Sequence, residues 1–237
     1  MNISRTPLAS DKSYLLPLKM SETSQEGFDL DENVCFLKVE NPKYGTLDCD
    51  RSKWEVVFCN SDEKNAVSEP NGDKGVGCLF DDDINSYWHA NWSGGTNNDD
   101  QFPQLFQGGR EMPITIVVDM KESLIVHSIG WTQRQNSDYQ DTKKVEYYVS
   151  DDEQFKLGGK EDYSPVALNN WTFVMERSYQ KGYNATQWQT QSEEVLQKKV
   201  KGHLLKVKIV EGYRDRLASG AELYVKQLLA IDGEPIK

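Results

Sequence analysis

Apolar and polar residues alternate over several stretches of this chain. Ile114, Ile116 and Val118 interleave with Thr115, Val117 and Asp119; Val145, Tyr147 and Val149 with Glu146, Tyr148 and Ser150; Leu205, Val207 and Ile209 with Lys206, Lys208 and Val210. A period of two predicts half-buried antiparallel strands, apolar side inward. Long polar stretches rich in Gly, Asn and Asp separate them, among them 93–109 and 135–142. Strands spaced by such loops read as an all-β sandwich with functional loops at one end. Helical periodicity is scarce, and the best candidate, Ser192 to Lys199, is short. Tyr14 to Met20 and Val34 to Val39 add two strands before a boundary near Asn41-Pro42-Lys43-Tyr44-Gly45. Two strands cannot build a core alone, so residues 1–46 are expected as an N-terminal β segment and 47–237 as the sandwich. No internal repeat or low-complexity segment is visible.

Composition narrows the partners. At 237 residues the chain is long enough for one large β domain, or for one medium domain with a small companion, and 11% aromatics, with six Trp and eleven Tyr, supply a core. The formal net charge of −11 repels nucleic acid and anionic membranes. Basic patches are short: Lys143-Lys144 and Lys198-Lys199 with Lys201. No apolar run approaches the ~18 residues of a membrane span. The N-terminus lacks the apolar core of a signal peptide, which leaves either a cytoplasmic protein or a longer chain whose first residues are missing. Cys35, Cys49, Cys59 and Cys78 form no CxxC pair, which argues against zinc and leaves disulfides and compartment open.

The run Cys78-Leu79-Phe80-Asp81-Asp82-Asp83-Ile84-Asn85-Ser86-Tyr87-Trp88-His89 carries the most information. Three consecutive carboxylates repel one another unless a cation or several hydrogen bonds offset their charge. A hydroxyl follows at Ser86, and the aromatic pair anchors the loop to a core. The run suits a calcium-organised binding loop; the alternative is a solvated acidic turn whose side chains cap backbone amides.

Leu79 to His89 resembles the "A-x-D-G-D-x-x-T-x-W-H" loop of the coagulation factor 5/8 type C, or discoidin-like, domain, closest to its carbohydrate-binding branch, carbohydrate-binding module family thirty-two. Ile114 to Met120 followed by Ile125 to Trp131 is similar to "ITIDLGK…INGF". Thr132 to Asn136 resembles "PRQD", Val145 to Asp152 "YEIYVSDDG", Asn170 to Val174 "NWTxV" and His203 to Val207 "ARYVRLV". The matches run in order from about Ser52 to Gly233. The resemblance implies a discoidin-like jelly-roll β-sandwich, in agreement with the alternation. Ser13 to Pro42, with Tyr14-Leu15-Leu16-Pro17-Leu18, resembles the closing strands of a small β domain of unknown function that precedes such modules in secreted gut-bacterial lipoproteins.

The resemblance also implies sites. A structural calcium would take the Cys78 carbonyl, Asp81, Asp83, the Ser86 hydroxyl, and a carbonyl-plus-carboxylate pair on the last strand. Spacing to Gly233 favours Lys226 and Gln227 for that pair; Ala221-Glu222-Leu223 keeps the family's letters, and Glu222 remains the alternative. Asp82 replaces the family's Gly. For the sugar, His89, Arg134 and Asn136 match hydrogen-bonding positions, expected on the loop surface. Trp92 is the candidate stacking platform and Tyr213 a second wall. Each has a structural alternative: a loop-bonded His89, an Arg134 ion pair with Asp138 or Asp141, a packed Trp92. Trp88, Trp131 and Trp171 are assigned to the core. No Gly-x-Ser-x-Gly, HExxH or phosphate loop points to catalysis. The expectation is a non-catalytic, calcium-stabilised module of a secreted or surface bacterial protein that binds a terminal galactose-type glycan. Other domains of a longer chain are possible partners, and membrane contact is expected only through a missing lipid anchor. The competing reading is a discoidin-like adhesion or scaffold module that binds protein or, ranked behind it, lipid.

Overall fold

The computed structural model describes residues 13–19, 34–40, 42–63, 75–92, 112–156, 169–182 and 184–236, the first two stretches by backbone alone. The strands are β1 (Ser13–Lys19), β2 (Val34–Glu40), β3 (Tyr44–Asp48), β4 (Glu55–Cys59), β5 (Trp88–His89), β6 (Ile114–Thr132), β7 (Thr142–Ser150), β8 (Thr172–Ser178) and β9 (Gln187–Thr190). After helix α1 (Glu193–Lys198) come β10 (Lys201–Gly212), β11 (Ser219–Gly220), β12 (Glu222–Ile231) and β13 (Glu234–Pro235).

The chain divides into two compact units, residues 46–229 and residues 1–45 with 230–237. In the smaller unit β1 and β2 form an antiparallel hairpin, Ser13 opposite Glu40 and Lys19 opposite Val34. The end of β12 folds onto β13 with Ala230 opposite Pro235. Lys43 donates its amide to Asp232 Oδ1 at 2.8 Å, and the Asp232 amide returns to the Lys43 carbonyl at 2.7 Å. These paired bonds tie residues 230–237 to the N-terminal segment, whereas the sequence pattern had grouped them with the sandwich.

In the larger unit one long strand serves both sheets. The first half of β6 lies between β4 and β10, with Val118 opposite Val56 and Ile116 opposite Val207. Its second half lies between β9 and β12, with Gly130 opposite Trp188 and Trp131 opposite Leu223. The break falls at Lys121, which adopts a left-handed conformation (φ 65°) while its amide donates to Asp119 Oδ1 at 2.9 Å. One sheet therefore runs β4-β6-β10-β7-β8 and the other β9-β6-β12. This is the expected all-β jelly-roll sandwich.

The predicted inward faces are inward: Ile114, Ile116, Val118, Val145, Tyr147, Val149, Leu205, Val207 and Ile209 are buried in one core with Trp88 and Trp131. The outward face is not uniformly wet. Val117 is buried as well, and so is Lys206, whose ammonium lies 4.0 Å from the Tyr148 ring centroid and 4.6 Å from that of Trp171. Burial, chiefly, lowers the Lys206 pKa to about 8. Trp171 is only half-buried and covers this lysine instead of entering the core to which its sequence context assigned it. Helix α1 forms where expected: Ser192 caps it by accepting from the Val195 amide, acids fill its first turn, and Lys199 ends it in a left-handed conformation.

The short rib of β5 and β11 positions the loop end of the sandwich. Trp88 pairs with Gly220 and His89 with Ser219. A Cβ on Gly220 would come within 2.2 Å of Trp131 Cζ2, so only glycine lets β11 pass over that ring.

Candidate functional site

Trp88 enters the core and donates its indole N–H to the Ser61 carbonyl at 3.2 Å, which fixes the rib and turns His89 toward the loops. His89 is only 2% exposed, and both ring nitrogens face acceptors: Nδ1 lies 2.6 Å from the Ala90 carbonyl oxygen and Nε2 3.1 Å from Asp141 Oδ2. Asp141 is fully buried and is the hub of the site. It accepts from Arg214 through Nε and Nη2, each at 2.6 Å. Its amide donates to Ser219 Oγ at 3.1 Å, and its carbonyl accepts the Tyr213 amide at 2.7 Å. Burial alone would raise the Asp141 pKa; the hydrogen bonds from Arg214 and His89 outweigh it and hold the carboxyl below the ordinary range. Arg214 is raised in return, first of all by the Asp141 hydrogen bonds.

Arg134 extends the network. It is 7% exposed, with its guanidinium carbon 3.6 Å from the Tyr87 ring centroid and 4.8 Å from that of Tyr139. Arg214 approaches the same Tyr139 ring at 4.7 Å, so Tyr139 lies in contact with two guanidiniums. Ser219 Oγ donates to the Tyr139 carbonyl at 2.5 Å. Asn136 sits at the start of the 137–139 turn, and its side-chain oxygen accepts from the Asp138 amide at 3.1 Å. Trp92 is held by its amide, which donates to Glu63 Oε2 at 2.7 Å, while Glu63 donates its own amide to the His89 carbonyl at 3.0 Å. Around this buried hub three rings face solvent, Trp92 at 38% and Tyr139 and Tyr213 at 39% exposure.

The expected residues thus gather at one end of the sandwich, in different roles from those assigned. His89 and Arg134 are buried and bonded beneath the surface instead of standing on it, because the acceptors of Asp141 and Ala90 and the faces of Tyr87 and Tyr139 draw them in. Trp92 and Tyr213 are surface rings as expected, and Tyr213 also donates its hydroxyl to the Tyr179 carbonyl at 2.9 Å. Asn136 is exposed, with its side-chain oxygen engaged in the turn. Arg214, Tyr139 and Tyr87 were missed. Only the adjacency of Arg214 to Tyr213, and a carboxylate at Asp141 in need of a cation, could have pointed to them.

The acidic turn is a separate locus. Asp81 accepts from the Asp83 amide at 2.9 Å through Oδ1 and from Ser86 Oγ at 2.7 Å through Oδ2. Asp83 accepts the Asn85 amide at 3.0 Å, and the Cys78 carbonyl accepts the Asp81 amide at 3.5 Å. Of the two last-strand candidates, the structure places Glu222 beside this turn: it is fully buried, and Asp81 and Asp82 act on its charge. Burial first, opposed by Arg51, raises its pKa to about 7. Lys226 and Gln227 lie further along β12, roughly 13–17 Å away at strand rise. There Gln227 is opposite Val126, and Lys226 is 3.7 Å from Asp48 with its ammonium over Trp188. The preferred pair is therefore displaced from the turn; the spacing to Gly233 misled because the β12 end and its turn belong to the smaller unit. Among the described residues, no group of three His, Cys, Asp or Glu side chains is disposed to hold a metal ion. Asp81, Asp83 and Ser86 are engaged by hydrogen bonds within their own loop. Glu222 meets a guanidinium through Oε2, while its Oε1 is buried without a hydrogen-bond partner among the described residues. This donor set does not fit the ion.

Neither protein-family models nor curated proteins yield a match to the chain. Solved structures do. The C-terminal domain of a chitobiase from Bacteroides fragilis superposes with a TM-score of 0.54 at 17% identity, covering 78% of this chain and 100% of that one. A family 32 carbohydrate-binding module from NanJ of Clostridium perfringens, in complex with galactose, gives 0.51 at 18% identity over 77% of this chain and 99% of its own. Another Clostridium perfringens module, in complex with GalNAc-β-1,3-galactose, gives 0.51 at 16% over 76% and 99%. At these identities the likeness establishes the discoidin-like fold.

Proposed function

We propose that the chain is a non-catalytic carbohydrate-binding module that holds a terminal galactose-type sugar against the loop end of its sandwich. The observation that carries this reading is the Asp141 hub, which fixes His89 and Arg214 beneath three exposed rings. Sugars present an apolar C–H face to such rings and vicinal hydroxyls to planar polar groups. Trp92, Tyr139 and Tyr213 supply the faces, and the partly exposed edge of Arg214 with Asn136 supplies polar atoms at the rim. His89 and Arg134 are positioning residues in this arrangement. The solved modules in complex with galactose and with GalNAc-β-1,3-galactose support the sugar class by likeness of fold. The Asp141 carboxyl, held below its ordinary range by the hydrogen bonds from Arg214 and His89, is not a proton donor at this site. Such a module belongs to a secreted or surface protein whose glycan target lies outside the cell.

Isothermal titration with galactose and N-acetylgalactosamine tests the proposal. One sugar ring on an open surface is expected to bind near millimolar, about −4 kcal/mol. Trp92→Ala and Tyr139→Ala should each weaken binding at least several-fold with the fold intact by circular dichroism. Silence of the wild type across a broad glycan array refutes the sugar reading and favours a protein-binding module of the same fold.

A further inference from the structure

Glu222 is a fully buried carboxylate beside the acidic turn, and the chain places a positive charge of its own against it. Arg51 opens a short 3-10 turn and is buried. Its Nη1 donates to the Leu79 carbonyl at 3.3 Å, to the Leu223 carbonyl at 3.0 Å and to Glu222 Oε2 at 2.5 Å; its Nη2 donates to Asp82. The Tyr224 ring backs the guanidinium, with its centroid 4.0 Å from the central carbon. We propose that Arg51 is a fixed internal cation that stands in for the expected calcium, so that the larger unit folds and functions independently of calcium.

The geometry carries the substitution. The expected ion would join the Cys78 carbonyl, Asp81, Asp83, Ser86 and a carboxylate-plus-carbonyl pair of β12. Arg51 takes such a pair, Glu222 and the Leu223 carbonyl, and reaches the acidic segment through the neighbouring Leu79 carbonyl and Asp82. Calcium requires six to eight oxygens converging on one point at about 2.3–2.6 Å. Here the acceptors are distributed around a planar fork, which suits a guanidinium and not a sphere. Asp81, Asp83 and Ser86, the remaining candidates, bond one another and the loop backbone. Asp82, where the family pattern has glycine, is in a left-handed conformation (φ 62°), and its side chain is the one that pairs with Arg51. The unusual third acid and the arginine form one device.

Thermal unfolding without sugar tests this separately from the carbohydrate reading. Wild-type protein should melt at the same temperature in millimolar calcium chloride and in excess EDTA. Arg51→Met should melt several degrees lower in EDTA and recover part of the loss in calcium, because the vacated oxygens then admit an ion that binds only the folded state. A wild type that loses stability in EDTA, or an Arg51→Met variant that calcium leaves unchanged, overturns the substitution. Should Arg51→Met fail to fold, titration calorimetry of the wild type with calcium chloride decides: no heat supports the proposal and a one-site isotherm overturns it.

Discussion

Arg214→Ala probes the hub directly. Asp141 has no exposure, and two of its three side-chain hydrogen bonds come from Arg214. Removing one partner of a buried ion pair costs about 3–5 kcal/mol, because the other charge is left uncompensated. Arg214 is 37% exposed along its side chain and His89 stays in place, so solvent screening and the remaining bond reduce the expected loss to about 2–3 kcal/mol. At about 2–4 °C per kcal/mol for a unit of this size, the melting temperature should fall by roughly 4–12 °C near neutral pH. The sign of the pH dependence follows from Asp141. Its pKa is depressed in the folded wild type, so its contribution is present above the unfolded carboxylate value and is lost as pH falls through the folded one. Without Arg214, burial dominates and raises that pKa, so protonation relieves the variant. The gap between wild type and Arg214→Ala should therefore be widest near pH 7 and shrink toward about pH 4. Asp141→Asn in the Arg214→Ala background should recover part of the loss, since it removes the stranded charge. Calorimetric melts across pH measure all three proteins. A gap that is the same at both ends, or a loss under about 1 kcal/mol at neutral pH, refutes the hub.

Gly220→Ala should destabilise by about 1–3 kcal/mol, read from the urea midpoint, because its Cβ would meet Trp131 at 2.2 Å; an unchanged midpoint would show that β11 shifts freely. At His203, burial lowers the imidazole pKa, but its bonds to Asp119 (3.0 Å) and the Asp152 carbonyl (2.6 Å) outweigh this and raise it. A raised imidazole stabilises fully below its unfolded value near about pH 6.5 and loses that contribution as pH rises through the folded one. Wild-type melts should therefore decline just above that value, and His203→Gln should remove the decline.

Strands were legible and contacts between loops were not. Alternation located Val145 to Val149 and Leu205 to Ile209 because a two-residue period leaves its mark along the chain itself. It misjudged Lys206 and Trp171, since a polar position says outward and does not say what covers the outward face. The loop end was recognised as a place, through the Tyr87-Trp88-His89 segment. The partners that give it shape come from distant turns without periodicity: Asp141 meets His89 across 52 positions and Arg214 across 73. Charge repulsion in Asp81-Asp82-Asp83 called for a cation or several hydrogen bonds, and Asp81 and Asp83 accept the Asp83 and Asn85 amides. The Arg51 contact to Asp82 was not legible, because Arg51 sits 31 positions earlier in a turn whose composition is ordinary.

The convergence on Asp141 has an evolutionary corollary. His89 and Arg214 both lean on the Asp141 carboxylate, while Ser219 and Tyr213 bond only its backbone, so substitutions at 89, 141 and 214 are strongly epistatic. Trp92 and Asn136 are tied to the same scaffold by a backbone amide and a turn contact that other side chains could provide. A lineage carrying this fold can thus exchange its rim residues one at a time, whereas changes at 89, 141 and 214 must come together.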